Sequence, residues 1–385
     1  MSIEASELAV IAVDALGLDA FTASARLRTY TPGRASFLFE ALDSNGEAGR
    51  YSVLGYRVRS CEVLPPGIDA IGVQSSLFDP QAEPETFAAA LALGAVGFFS
   101  SSVASLWNRI RLFEDEGPSG MFATGATVAV FDHHEHTITV AGPAKGRVAE
   151  RCVWEMKNGP ELGPLATIEP SAQPTTVHAD LGDEKFQARA IRAKAFVSEL
   201  DAFSLARTFT TPIAGAEAFD AYRALRAVRR VEGESSDGNQ GYYLDFGESP
   251  VQARLELFGL GRTFIHQRRH REAGPSMADA MRKLLPHRSA VGAPGVDALR
   301  LLRQLEESSR QTWGGSVGFI APGGAASFVL GDEMVTAQHG SFWCTAGAAV
   351  SEATSPLTVA DVTRDSVAAR LHAIAIAHAT ADARR

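Results

Sequence analysis

The 385-residue chain has no run of about 18 apolar residues, so no helix is expected to span a bilayer. It has only three cysteines, Cys61, Cys152 and Cys344, set far apart and in no CxxC pair. That pattern argues against a disulfide framework and a cysteine-based zinc site, and a reducing, cytoplasmic location is expected. Basic residues are in the minority, with 36 Lys and Arg against 45 Asp and Glu and a formal charge of −9. Such a balance disfavours nucleic acid and anionic membranes as partners. The apolar start, Leu8 to Leu18, is broken by Asp14 and preceded by Glu4 and Glu7, so it does not read as a signal peptide. There is no internal repeat and no low-complexity tract. What is present is ordinary globular material, 45% hydrophobic and 21% charged, enough for two domains or one large one.

Strand and helix patterns alternate irregularly. Ser36–Glu40 and Tyr51–Gly55 read as strands around a Ser44-Asn45-Gly46 turn, and Ala95–Phe99 as a buried strand. Thr127–Phe131 and Thr137–Val140 flank Asp132-His133-His134-Glu135-His136 and predict a hairpin. Residues 141–182 are rich in Gly, Pro, Ala and Thr and read as a surface connection with a short helix near Val148–Met156. Beyond them, Phe186, Ile191, Phe196 and Val197 share a helical face capped by Asp183, and Phe219, Tyr222, Leu225 and Val228 recur at helical spacing. Tyr242–Phe246, Ser316–Ile320 and Ser341–Thr345 read as strands. Met277–Leu285, the Leu299, Leu302, Leu305 stripe and Val359–His378 read as helices, the first stopped by Pro286. Without strict βαβ order, the fold class is α+β. The expected division is a β-rich part over 1–145, a linker over 146–182 and a second part over 183–385, the two parts interleaving into one body.

Three local motifs invite chemistry. Gly314-Gly315-Ser316-Val317-Gly318 matches the GxSxG nucleophile elbow, with Asp332 or Asp361 and His372 following in hydrolase order. An elbow needs a strand before its serine and a helix after it. Here a helix precedes and a glycine-rich turn follows, so a strand entry is the better reading. The Asp132–His136 run offers four metal-ligand types, but a single hairpin tip seldom closes around an ion, and a solvated turn is expected. Arg262, Arg268, Arg269 and Arg271 with His266 and His270 lack the aromatic interleaving of a nucleic-acid site. Gly259 and Gly261 do not complete a dinucleotide fingerprint, because Phe264 stands at its last glycine.

Taken in order, longer segments resemble component I of anthranilate synthase and related chorismate-utilising enzymes such as aminodeoxychorismate synthase. Phe37-Leu38-Phe39-Glu40-Ala41 and Gly49-Arg50-Tyr51-Ser52-Val53-Leu54-Gly55 resemble the family's FLLES and GRYSFLG. Gly94–Phe98 resembles GGLVGY, and Val130–His133 resembles VVFDH. Ala218–Arg226, Tyr243–Gly247, Val291–Pro294, Trp313–Phe319 and Ala346–Val350 follow as PFDLYRALR, YLDFGD, TGAPK, YGGAVGY and AGAGI. The resemblance implies a component I-like fold, β-sheets packed face to face with helices outside. It also implies a pocket for chorismate, a dianion. In the family, acidic side chains hold Mg²⁺ over the ring carboxylate, a histidine assists loss of the ring hydroxyl, and ammonia arrives from a glutaminase partner.

Carried onto this chain, the implied pocket keeps His266 as the catalytic position, in vestigial form. Gly292, Ala293, Trp343, Gly347 and Ala348 are the implied substrate-binding positions. The rest departs from the pattern. An acidic block between the YLDFG-like segment and His266, which carries one metal-binding glutamate, is missing. Two further metal-side glutamates read as Val359 and Val362, and lysines read as Gly295 and Ser366. The second glycine of the AGAG turn reads as Ala349, and the carboxylate-binding arginine reads as Glu333. Such a charge reversal would cost on the order of 4 kcal/mol per pair at ~4 Å.

The implied function is that of a degenerate family member without Mg²⁺-dependent chorismate chemistry, inactive as an anthranilate synthase and expected to need no metal or cofactor. It would act as a binding or regulatory partner of a glutaminase subunit or of an intact family paralogue, or take a small anionic cyclic ligand. The alternative is an active, diverged chorismate-family enzyme of tryptophan, folate or secondary metabolism. The shortened route to His266 predicts a pocket that is smaller or open on one side. Leu299, Leu302, Leu305 and the Trp313–Ile320 segment should still be buried.

Overall fold

One strand, Glu256–Gln267, belongs to two sheets at once in the computed structural model, which describes residues 7–15, 17–44, 47–68, 77–79, 81–114, 116–197, 202–231, 239–248, 253–267, 281–282 and 285–385. Its first half pairs with Asn239–Asp245 on one side and Met334–Gln338 on the other. After an irregularity between Thr263 and Ile265 its second half pairs with Ala326–Leu330. A bulge bends and twists a strand, which lets one segment pass between sheets.

The first sheet is antiparallel throughout. From one edge it runs Leu8–Asp14, Thr137–Pro143, Thr127–Asp132, Glu47–Tyr56, Ser36–Ser44, Asn239–Asp245, Glu256–Gln267, Met334–Gln338, Ser341–Val350 and Ala202–Pro212. The second runs Ser60–Leu64, Gly120–Thr124, Ala95–Phe99, Ser316–Ile320, Ala326–Leu330 and the end of the shared strand. N-terminal and C-terminal strands are thus direct neighbours in both sheets.

Three cores follow. Phe37, Phe98, Tyr242, Leu257, Val317 and Val329 fill the space between the sheets. The other face of the first sheet is covered by helices Ala20–Tyr30, Val148–Asn158, Ala218–Val231 and Val359–Ala383, which bury Phe219, Tyr222, Leu371 and Ile374 against Tyr243, Phe258 and Cys344. The outer face of the second sheet packs Phe99, Phe122 and Phe328 with helices Asp183–Lys194 and Gly295–Leu305. Ala95–Phe99 and Ser316–Ile320 are buried on both faces, which is why each reads as an unbroken apolar run rather than an alternation. Leu299, Leu302, Leu305 and Trp313 are buried, as expected from their spacing.

The helix expected near Val148–Met156 is present as Val148–Asn158 and seals Cys152 and Met156 completely, because those residues lie on one face against helix Ala20–Tyr30 and the first sheet. Other local expectations change. Ile191 leaves the apolar face of its helix and is exposed. Asp183 is not a cap. It opens the helix and binds Arg207 and Arg364, so its carboxylate is held below its ordinary range, first by Arg364 and then by Arg207. The last helix runs on to Ala383. The Ser44-Asn45-Gly46 turn and most of Met277–Leu285 lie outside the described residues.

Gly97 and Gly318 face each other across the second sheet. A Cβ at Gly97 would stand 1.9 Å from the Met121 carbonyl oxygen, and one at Gly318 1.9 Å from that of Ser327. Neither carbonyl is free to move without breaking its ladder. Gly97→Ala or Gly318→Ala is therefore expected to cost at least ~1–3 kcal/mol in urea unfolding. A midpoint unchanged from the parent would contradict this packing.

Candidate functional site

The positions singled out by resemblance lie on two groups of strands. Strand Ala202–Pro212 gathers most of them. Ala293 and Gly292 pair with Ala202 and Phe203, Ala348 and Gly347 with Leu205 and Ala206, and Trp343 with Thr210. His266 stands elsewhere, on the shared strand opposite Ser327. Its side chain lies outside the described residues, as do those of the neighbouring Arg and His cluster.

Beside Gly347 the packing is close. Trp313 lies over Gly347: a Cβ there would stand 2.9 Å from the indole Cη2 and 2.4 Å from Ser204 Oγ. Gly347 is therefore needed for packing, whatever else it does. The Trp313 indole N–H donates to the Asp332 carbonyl at 2.8 Å, and Arg310 stacks on its ring at 5.2 Å. Arg310 organises the region. Its Nε donates to Glu306 Oε2 at 2.8 Å, and its Nη2 to Glu306 Oε1 at 2.5 Å and to the Ser204 carbonyl at 2.6 Å. Its Nη1 donates to the Ala290 carbonyl, just before the turn. Glu306 in turn accepts the Ala206 N–H at 3.2 Å. One buried ion pair thus ties the turn, the end of helix Gly295–Leu305 and strand Ala202–Pro212 together. The cavity left among Val291, Leu302, Trp313 and Arg310 measures about 10 Å³, room for one water.

The donor set does not fit the magnesium site that the resemblance implies. Val359 is 1% exposed inside the core, while Val362, one turn on, is 47% exposed. Among the described residues no three His, Cys, Asp or Glu side chains gather where they could hold an ion. Glu333 lies ahead of strand Met334–Gln338 and is bound by Arg229 of the Ala218–Val231 helix at 2.9 Å.

The local motifs resolve into scaffold. Ser316 opens a strand paired on both sides, with Phe99 and Leu330, and only the 3-10 turn Pro322–Gly324 follows that strand, where an elbow needs an α-helix straight after its serine. His372 bonds the Ala172 carbonyl at 2.8 Å. In the polar hairpin, Asp132 binds Arg50 at 2.9 Å and takes the N–H groups of His134 and Glu135, while His133 Nε2 meets Ser52 Oγ at 2.8 Å.

A larger cleft, of about 570 Å³, opens at the other end of the first sheet. Its floor is a charged group that sequence patterns did not single out. Asp245 accepts from Arg28 Nη1 at 3.2 Å, from Arg254 Nε at 3.1 Å and Nη2 at 2.5 Å, and from the Gly247 N–H at 2.9 Å. Glu256 accepts from the Tyr243 hydroxyl and lies 3.3 Å from Arg254 Nη2. Arg28 stacks over Phe219 and Tyr243 at 4.8 and 4.7 Å. Burial first, then the neighbouring Asp245, pushes the Glu256 carboxyl above its ordinary range. The available signal was an ionisable residue, Asp245, ending a run of buried Tyr and Leu.

The fold is that of the chorismate-utilising enzymes. The structure of anthranilate synthase component I from Streptococcus pneumoniae superposes with a TM-score of 0.65 at 16% identity, covering 86% of this chain and 93% of that one. The menaquinone-specific isochorismate synthase of Escherichia coli superposes with a TM-score of 0.62 at 11% identity, covering 95% and 94%. In sequence, residues 270–357 match the chorismate binding enzyme family. Anthranilate synthase component 1 of Streptomyces coelicolor is 22% identical over 440 positions, spanning 91% of this chain and 86% of that protein. In fold and in sequence the chain is thus similar to the anthranilate synthase component I group of chorismate-utilising enzymes. The 440 aligned positions exceed the 385 residues here, so the relative carries stretches with no counterpart in this chain.

The Arg310–Glu306 pair supplies a direct test of how the turn is held. Arg310→Leu leaves a buried carboxylate unpaired and is expected to cost ~3–5 kcal/mol. Adding Glu306→Leu should recover a large part of that loss. Urea unfolding of both single variants and the double variant measures it, and simple additivity would contradict the pairing.

Proposed function

We propose that this chain uses the component I fold for binding or regulation and does not carry out Mg²⁺-dependent chorismate chemistry. The observation that carries this reading is Val359, which stands at a metal-side glutamate position of the resemblance and is buried in the core at 1% exposure. A helix face that offers valine there cannot offset the charge of a dianion. In this reading His266 is a vestige of the catalytic position, and Gly292, Ala293, Trp343, Gly347 and Ala348 are the positions that would meet a ligand. No cofactor is required by this reading.

Relatives carrying the name component 1 are by that name one part of a larger enzyme. The proposed partner is accordingly a glutaminase subunit or an intact family paralogue, with nucleic acid disfavoured by the net charge of −9. Among the described residues no helix is long and apolar enough to cross a membrane.

The test is an anthranilate fluorescence assay with chorismate, Mg²⁺ and ammonia. No product is expected. A rate that scales with protein and disappears with EDTA would overturn the reading and favour a diverged enzyme. Restoring carboxylates should not rescue activity. Val359→Glu buries a charge in the core and is expected to cost several kcal/mol, on the order of 3–5, whereas exposed Val362→Glu should stay within about 0.5 kcal/mol. Thermal melts with and without Mg²⁺ beside the same assay measure both, and robust turnover by the double variant would contradict the proposal.

A further inference from the structure

The 570 Å³ cleft falls within the size range of small-molecule sites and shares no lining residue with the small cavity beside the Gly292–Ala293 turn. Its floor does not show its charges equally. The side chain of Arg254 is 33% exposed and that of Arg28 17%, against 10% for Glu256 and 1% for Asp245. What a ligand meets there is guanidinium, with the carboxylates turned inward as supports. Asp245 grips Arg254 through two hydrogen bonds and Arg28 through one, and the Tyr243 hydroxyl holds Glu256 from behind. Side chains fixed in this way lose little freedom when a ligand binds.

The rim adds unpaired groups. The Arg34 guanidinium and the Gln338 carboxamide both border the cleft, and neither has a side-chain partner among the described residues. Two rim carboxylates, Glu217 and Glu248, are exposed and free to turn to solvent, whereas the floor cannot rearrange without breaking its ion pairs. Leu162 and Ile213 give one wall an apolar character.

We propose that this cleft binds a small organic anion, whose carboxylate or phosphate is taken by Arg254 and Arg34 while its apolar body rests against Ile213 and Leu162. Arg28, Asp245 and Glu256 are positioning residues that hold Arg254. The inference goes beyond the functional reading above and does not depend on it, since the two regions are separate and chorismate turnover is not its readout.

The experiment is isothermal titration calorimetry on the full chain with sodium benzoate and, separately, inorganic phosphate, at fixed ionic strength. Saturable binding of at least one probe is expected, and which probe binds distinguishes a carboxylate from a phosphate ligand. Arg34→Gln removes an exposed guanidinium without a partner and so leaves the fold intact. It should weaken binding about tenfold, as expected for loss of a charge-assisted hydrogen bond. Arg254→Gln should weaken it at least as much, with a thermal melt reporting any cost of freeing Asp245. Arg111→Gln, outside the cleft, should change nothing. Absence of saturable heat from both probes up to ~10 mM, or equal binding by the parent, Arg34→Gln and Arg254→Gln, would overturn the proposal.

Discussion

A strand that serves two sheets constrains everything around it. Glu256–Gln267 pairs first with Asn239–Asp245 and Met334–Gln338, then with Ala326–Leu330. Its register therefore sets how the sheets face each other and which side chains fill the core between them. A slip of one residue would turn Leu257 out of that core and Phe258 into it. The same strand begins at the charged floor of the large cleft and ends near His266. Its continuity makes the short route between the YLDFG-like segment and His266 a structural fact, and places the two ends in different surroundings.

Two buried ionic groups divide the molecule between them. Arg310 and Glu306 satisfy one another and three backbone groups, so they lock a turn and leave little space. Buried pairs of this kind contribute modestly to stability but are costly to break, which makes them effective at fixing one arrangement. The Arg28–Asp245–Arg254–Glu256 group is built differently. Its carboxylates are enclosed and its guanidiniums reach the cleft. The first group fixes the backbone next to the Gly292–Ala293 turn, and the second lines an open cleft.

Much of the fold was legible in the sequence because it rests on local pattern. Continuous apolar runs such as Ala95–Phe99 and Ser316–Ile320 identified strands buried on both faces, and the Leu299, Leu302, Leu305 stripe identified a helix. The hairpin around Asp132–His136 was legible from β-branched runs flanking a polar tip. Periodicity was a poorer guide at Ile191, where helix Asp183–Lys194 is buried by Phe186 and Ala190 and leaves Ile191 outside. The helix near Val148–Met156 was legible even within a loop-like composition.

By itself the sequence carried the family resemblance, the α+β class and the valines at two metal-side glutamate positions, since these depend on residue identity in order. The tertiary structure decided which side chains meet. It set Glu333 against Arg229 on the helix-covered face, because a residue just outside a strand does not follow the strand's alternation. It brought Arg28, Asp245, Arg254 and Glu256 together from segments more than two hundred residues apart, by pairing Ser36–Ser44 with Asn239–Asp245. It laid Trp313 over Gly347. Charge networks and cavities arise from close packing between distant segments, and local pattern carries no record of that packing.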